Sequence, residues 1–411
     1  MMIVRSPDGL RRVLTTRLAR PVAVVLLGVV AATSGCAPRA EEISRERLSV
    51  ADVLGPDGST GFARALEPRP LAFPADHGPH PDFASEWWYF TGNLDGADGG
   101  QLGYQLTFFR TALAPPSSLS PRSSPWATGQ AWMAHFAVSD ISGGNFHAFD
   151  RFERGALGLA GGQANPWRVW LDDWSLEQVG ETVFPLRLRA ATGDDVAESG
   201  ARVGLDLRLE PLKPVVLQGD EGLSRKGMTP GNASYYYSFT RLRTAGTMRL
   251  GDREIAVEGT SWLDREWSTS VLEEGQRGWD WFALQLDDGV DLMYYQIREA
   301  DGAPSPTSAG TLVFADGAHL PLGYDDVELR VSDHWTSPID GARYPAGWRL
   351  TVPGRAIDLR IAPLLADQEL DVAFRYWEGA VQVSGSGAGG TPVRGRGYVE
   401  LTGYAGGGSP P

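Results

Sequence analysis

The sequence nearly repeats an aromatic hairpin, and that repeat narrows what the chain can build. Trp87-Trp88-Tyr89-Phe90 matches Trp279-Asp280-Trp281-Phe282 at an offset of 192, and Leu94-Asp95 matches Leu286-Asp287 at the same offset. Tyr104-Gln105-Leu106 then matches Tyr295-Gln296-Ile297 at an offset of 191. Each set brackets a turn rich in Asp and Gly, residues 95–100 in one case and Asp287-Asp288-Gly289 in the other. Alternating runs on either side of such turns mark antiparallel hairpins. A near-constant offset across a whole hairpin predicts two related β domains in tandem, at residues 61–245 and 246–404, with the division near residues 240–250, before or at the run 247–250. No stretch after residue 60 sustains a helical stripe, so the expected fold class is all-β. Closing or nearly closing each sheet, as a barrel or a sandwich, removes its exposed edges. The interior of a small antiparallel barrel can hold one apolar ligand.

The first 35 residues read as an export signal. Five arginines with a single acid, Asp8, precede the uncharged run Pro21–Ala32. Twelve apolar residues are too few to span a hydrocarbon core, which needs about 20, but they suit a signal-peptide core. The run ends in Thr33-Ser34-Gly35-Cys36, and Cys36 is the only cysteine in the chain. Small residues ahead of a cysteine resemble a lipobox, so Cys36 is the expected lipidation site and new N-terminus; ordinary cleavage near Ala32 beside an incidental cysteine is the alternative. The Arg11-Arg12 pair leaves Sec and twin-arginine export both open. Residues 36–60 read as a polar tether and residues 405–411 as a disordered tail. The exported chain is then lipid-anchored at a bacterial membrane, on the periplasmic side or at the cell surface. Losing five Arg and one Asp with the leader takes the formal charge from −14 to −18. That surface argues against nucleic acid, whose phosphates need Lys and Arg.

The densest set of chemical groups is Ser261-Trp262-Leu263-Asp264-Arg265-Glu266-Trp267-Ser268. In a strand Trp262, Asp264 and Glu266 share one face, with Arg265 on the other. Two carboxylates beside aromatic walls can have their pKa values driven apart, leaving one as acid and one as base. An exposed acidic turn in which Arg265 pairs a neighbour is the alternative. Asp280 lies between Trp279 and Trp281, and Glu86 precedes Trp87 and Trp88; a carboxyl in such surroundings is desolvated and its pKa rises. The tryptophans can equally be barrel core. His135 sits in the apolar strand Trp132–Val138, either as a ligand-contacting or catalytic group or as a satisfied core histidine. Tyr235 and Tyr237 share a face as a pocket wall or proton relay, or as core. His77 and His80 flank a Gly-Pro turn without a dense set of partners, so no metal is expected. There is no G-x-S-x-G elbow and no Walker loop. Gly385–Gly390 has the letters of a dinucleotide loop but runs into Thr391-Pro392 without a helix. Nothing asks for a cofactor.

His80-Pro81, Ser85-Glu86-Trp87-Trp88-Tyr89, Met133-Ala134-His135-Phe136-Ala137, Tyr235-Tyr236-Tyr237-Ser238 and Gly259–Ser268 together resemble a known family. It is the family of secreted hydrolases related to AttH and to carotenoid 1,2-hydratases, and the likeness runs from about Leu71 to Gly403. The resemblance implies two lipocalin-like β domains and an ABC transporter of the lipoprotein-releasing type as a partner. Its hydratase branch protonates an isoprenoid double bond and adds water to the cation, and it implies Asp264 as the acid. Two functions are expected from this. One is a hydrolase or hydro-lyase on an apolar lipid or isoprenoid, with Asp264 as acid and Glu266 or His135 as base or orienting group. Asp280 is a further catalytic candidate. Glu86, Trp88, Tyr235, Tyr237, Trp262, Arg265, Trp267 and Trp281 would line the ligand. The other is a non-catalytic lipid-binding lipoprotein serving the transporter.

Overall fold

The computed structural model describes residues 60–119, 124–193, 202–270 and 272–405. The leader, Cys36, the tether up to Ser59 and the tail beyond Ala405 lie outside the described residues. Within them every regular element is a strand, apart from five three-residue 3-10 turns.

The strands form two curled antiparallel sheets, a near-barrel followed by a half-barrel, in the two-domain lipocalin-like arrangement. In the first sheet the neighbours run, from one edge, Asn145–Arg154, Gln130–Asp140, Gln101–Ala112, Ser85–Gly96, Arg253–Ser268, Ala233–Leu250 and Val203–Pro211. Four shorter strands between Ala160 and Ala191 continue it, and the short strands Val216–Leu217 and Leu223–Arg225 pair with Ala233–Leu250. In the second, Gln276–Leu286 lies between Asp291–Glu299 and Pro392–Leu401, and Arg375–Ser386 pairs with the far side of Pro392–Leu401.

Both hairpins expected from the repeat are present. Gly99 and Gly289 close their turns at φ of +85° and +86°, a conformation that Gly adopts without a Cβ clash. Each first strand holds the same place, central in its sheet. Residue 245 lies inside the long strand Ala233–Leu250, and the first sheet continues to Ser268, so the change of sheet comes later than the 245/246 division. Gly251-Asp252 is a tight hairpin turn joining Leu250 to Arg253, not a linker.

The barrel interior is filled. Trp88, Trp132, Trp167, Trp174 and Trp267 are all at most 2% exposed and pack with Tyr237, Phe108 and Phe136 into one apolar core. His77 enters from the chain's start, stacks on Trp167 at 4.1 Å and hydrogen-bonds the Tyr237 hydroxyl at 2.6 Å. A second core fills the half-barrel around Trp348 and Trp377. The expectation of a ligand space inside a barrel is thus corrected: packed indoles occupy that space. The sheets instead meet through their outer faces, where Tyr89, Tyr236, Trp262, Trp281, Tyr295 and Tyr398 make a third cluster. Buried hydrogen bonds cross this seam. Tyr89 donates to Glu378 Oε1 at 2.5 Å, Asn93 to the Gly397 carbonyl at 3.1 Å, and Ser139 to Gln368 at 2.6 Å. These bonds join specific residues of the two sheets and so favour one register between them, although Asn93 Oδ1 and Glu378 Oε2 stay without a partner.

Candidate active site between the two sheets

The seam opens into a cavity of about 110 Å³. Its walls come from the outer faces of both sheets, including Trp87, Tyr89, Phe109, His135, Asp264 and Glu266 from the first and Trp279, Trp281, Tyr295, Tyr376 and Glu400 from the second. Strand alternation decides which residues reach it. In Arg253–Ser268, Leu263, Arg265 and Trp267 face the barrel interior, while Trp262, Asp264 and Glu266 face the seam. The split anticipated for this segment is the one observed.

Asp264 is 4% exposed and fully hydrogen-bonded on one oxygen. Its Oδ1 accepts from Ser238 at 2.5 Å and from the Trp262 indole at 2.7 Å. Its Oδ2 accepts from the Tyr236 hydroxyl, which itself accepts from Trp281 Nε1 at 3.3 Å across the seam. A carboxyl oxygen has two lone-pair positions, so Oδ2 keeps one for a proton. Burial raises the Asp264 carboxyl to about 7; Glu266 adds to the rise, and the three hydrogen bonds pull against it. Two residues on, Glu266 has a cation. Lys226 Nζ lies 3.2 Å from its Oε1, Ser234 donates to the same oxygen, and the ammonium sits 3.9 Å from the Tyr295 ring centre. Of the two carboxyls that this strand turns toward the cavity, Glu266 is thus the one paired with a cation, and Asp264 the one that burial drives toward its protonated form.

The second sheet mirrors this half-site. Tyr89 lies opposite Asp264 in the first sheet, and Trp281, its counterpart at offset 192, lies opposite Glu400 in the second. Ser238 is opposite Asp264, and Glu378 is opposite Glu400. The sequence carries the correspondence: Gly259-Thr260-Ser261-Trp262-Leu263-Asp264 and Gly395-Arg396-Gly397-Tyr398-Val399-Glu400 share glycine, aromatic, aliphatic and acid in the same order. Glu400 accepts from the Trp279 indole at 2.8 Å. Burial raises the pKa of both Glu400 and Glu378; for Glu400 the charges of Asp264 and Glu266 add to it. His135, wholly buried, hydrogen-bonds the Tyr376 hydroxyl through Nδ1 at 2.9 Å, and its Nε2 has no protein partner. Burial lowers its pKa to about 3, so the imidazole is neutral.

Not all the expected site residues converge here. Asp264, Glu266, His135 and Trp281 line the cavity, and Trp262 holds Asp264 from behind. Trp88, Arg265 and Trp267 are turned into the barrel, where the Arg265 guanidinium stacks 3.9 Å over Trp88. Arg265 and Arg110 both bond Glu86, which is among the residues that line the cavity. Burial alone would raise the Glu86 pKa as expected, but the two guanidiniums hold it well below the carboxylate range. Asp280 is also off the cavity, bonded to Arg298 at 3.0 Å and Tyr404 at 3.0 Å inside the half-barrel end. Tyr235 and Tyr237 pack in the barrel core, and it is Tyr236 that faces the seam. Ser234 and Ser238, two residues either side of Tyr236, signal this: small hydroxyls on one face leave room for the carboxyls they bond. Among the described residues no group of His, Cys, Asp and Glu side chains could hold a metal ion.

A family model described as AttH-like matches residues 64–404. Among solved structures the chain is similar to an AttH protein of Nitrosomonas europaea, with 37% identity and a TM-score of 0.71 over 84% of this chain and 100% of that one. It is also similar to kievitone hydratase from Nectria haematococca, with a TM-score of 0.61 over 86% of this chain and 98% of that one. At 16% identity the second likeness concerns the fold. No curated protein matches the sequence.

Proposed function

This chain belongs to the AttH-like family, and on that premise we propose that it is an exported, lipid-anchored hydro-lyase or hydrolase acting on an apolar lipid or isoprenoid between its two sheets. The observation that carries the reading is Asp264: a buried carboxyl at an apolar, aromatic cavity, with one oxygen saturated and the other able to keep a proton. In the hydration direction Asp264 gives its proton to one carbon of a double bond. The electron-rich indole faces of Trp279 and Trp281 stabilise the cation left on the other carbon. Water forms the new C–O bond there and passes its extra proton to a carboxylate, the role of Glu266, which lines the same cavity and has Lys226 beside it. Alkene and water become an alcohol, and the two carboxyls have exchanged protonation states, to be reset from solvent.

Mass spectrometry of small molecules extracted from membrane-purified protein tests this. Wild type should release a product and Asp264→Asn should retain its precursor, the two differing by one water or by a cleaved group. An identical intact lipid from both proteins would sink the enzymatic reading and favour a carrier serving a lipoprotein-releasing ABC transporter.

A further inference from the structure

Scattered exposed apolar side chains are ordinary on a protein surface, but several here gather at one end of the cavity. Trp87, Phe109, Met133 and Phe152 stand directly opposite one another on four adjacent strands, and Trp87 is also opposite Glu266. The first three line the cavity, while Phe152 is 55% exposed. The row is an apolar track from the site to the outside. Two residues after Thr111, another cavity residue, and just past the strand end at Ala112 stands Leu113 at 65% exposure, and Trp126 in the same connection is 55% exposed. On the other flank, Lys226 lines the cavity and the following turn presents Met228 at 78% exposure, with its amide held by Glu273 at 3.0 Å. The segment Gly61–Leu66 joins the two flanks. A Cβ at Gly61 would lie 3.0 Å from Pro115, and one at Gly231 would lie 3.1 Å from Leu66.

We infer that this rim docks on a lipid bilayer, with Leu66, Leu113, Trp126, Phe152 and Met228 entering its interfacial layer and the cavity opening toward the acyl chains. The inference rests on the export and apolar-ligand reading above. The position of the chain's start selects a bilayer over a protein partner. The described fold begins at Thr60, on the rim itself, and about 24 residues separate it from Cys36, a reach on the order of 80 Å when extended. A lipid at Cys36 would hold the fold at a bilayer by a segment rooted on this rim. Apolar side chains with a tryptophan among them are the composition of an interfacial contact. An apolar ligand could then pass between bilayer and cavity without crossing water.

The test uses the exported chain, residues 36–411, carrying Cys36→Ser so that no lipid is attached, floated with phosphatidylcholine vesicles. It should partition onto the vesicles, and less onto anionic ones because of its acidic surface. Leu113→Asp, Trp126→Asp and Met228→Asp together should lower partitioning at least ~10-fold, with circular dichroism unchanged. Leu212→Asp and Ile339→Asp, at exposed positions elsewhere, should have no effect. Absent partitioning, equal partitioning of the triple variant, or equal loss in the controls would overturn the inference. So would sedimentation showing that the rim residues instead support a dimer. Asp264→Asn should float like its parent. A chain that docks without converting its ligand sinks only the enzymatic reading; one that converts ligand in detergent without docking sinks only this one.

Discussion

Replacing Lys226 with methionine removes the single ammonium that faces Glu266. Both side chains are almost wholly withdrawn from water, 8% and 6% exposed, and their charged atoms are 3.2 Å apart. Breaking a buried pair by deleting one partner costs about 3–5 kcal/mol, because the remaining charge loses its counterion while staying desolvated. The Tyr295 ring, 3.9 Å from the ammonium, adds a cation–π share that methionine recovers only in part. The Ser234 hydroxyl still bonds Glu266 but cannot neutralise it. Lys226→Met should therefore lower the unfolding free energy by about 3–5 kcal/mol at neutral pH. Adding Glu266→Gln should restore most of it, since a neutral amide no longer needs the cation. Urea unfolding followed by near-ultraviolet circular dichroism, with the denaturant slope unchanged, reads all three proteins. A single-variant loss below ~1 kcal/mol, the range of an exposed ion pair, would refute the reading of Lys226 and Glu266 as a buried pair.

Three further outcomes follow from the same geometry. Asp264 titrates near 7 in the fold and near 3.8 when unfolded, so the native state binds the extra proton between those values. Its contribution is then fully present below that window and is lost as pH rises through it, by about 1.4 kcal/mol per pH unit. His77 and His135, held neutral by burial, act in the opposite sense over much of the same range. The informative quantity is thus the difference in stability between wild type and Asp264→Asn, which should grow on acidification from pH 7 and stay flat above it; parallel curves would contradict the buried acid. Tyr236→Phe removes a donor to Asp264 Oδ2, so the Asp264 midpoint should move up, as carboxyl titration by infrared spectroscopy would register; a downward move would be wrong for this geometry. Glu86→Gln leaves Arg110 and Arg265 without their shared carboxylate, and chemical denaturation should show a loss of about 3–5 kcal/mol, far above the ~0.5 kcal/mol of an ordinary surface change.

The two aromatic hairpins were readable because their turns are marked by Asp and Gly and because the same pattern returns after 192 residues. The facing of Trp262, Asp264 and Glu266 was readable too, since side-chain direction in a strand has a period of two. What the pattern could not tell was which face of the sheet holds the cavity. Ser85–Gly96 is buried almost end to end, with the packed barrel on one side and the second sheet on the other. A strand covered on both faces loses the apolar-in, polar-out alternation that would distinguish them. Trp88, Trp267, Tyr235 and Tyr237 therefore looked as much like cavity wall as Trp87 and Tyr236 do. Arg265 and Glu86 read as site charges because their partners, Arg110 and each other, come together only through strand pairing. Glu400 and Glu378 carry no signal in the sequence for a related reason. Each stands alone among apolar neighbours in its own strand, and only the pairing of the second repeat brings the two together.

The most direct test of the account is the ionisation of Asp264 itself. Carbon-13 NMR of aspartate side-chain carboxyls, with Asp264→Asn used to assign the signal, should place its midpoint near 7, with the signal of the protonated form still dominant at mildly acidic pH. A midpoint in the ordinary aspartate range, about 3.9, would mean that the cavity holds an anion in place of an acid, and the proposed proton donor would be lost.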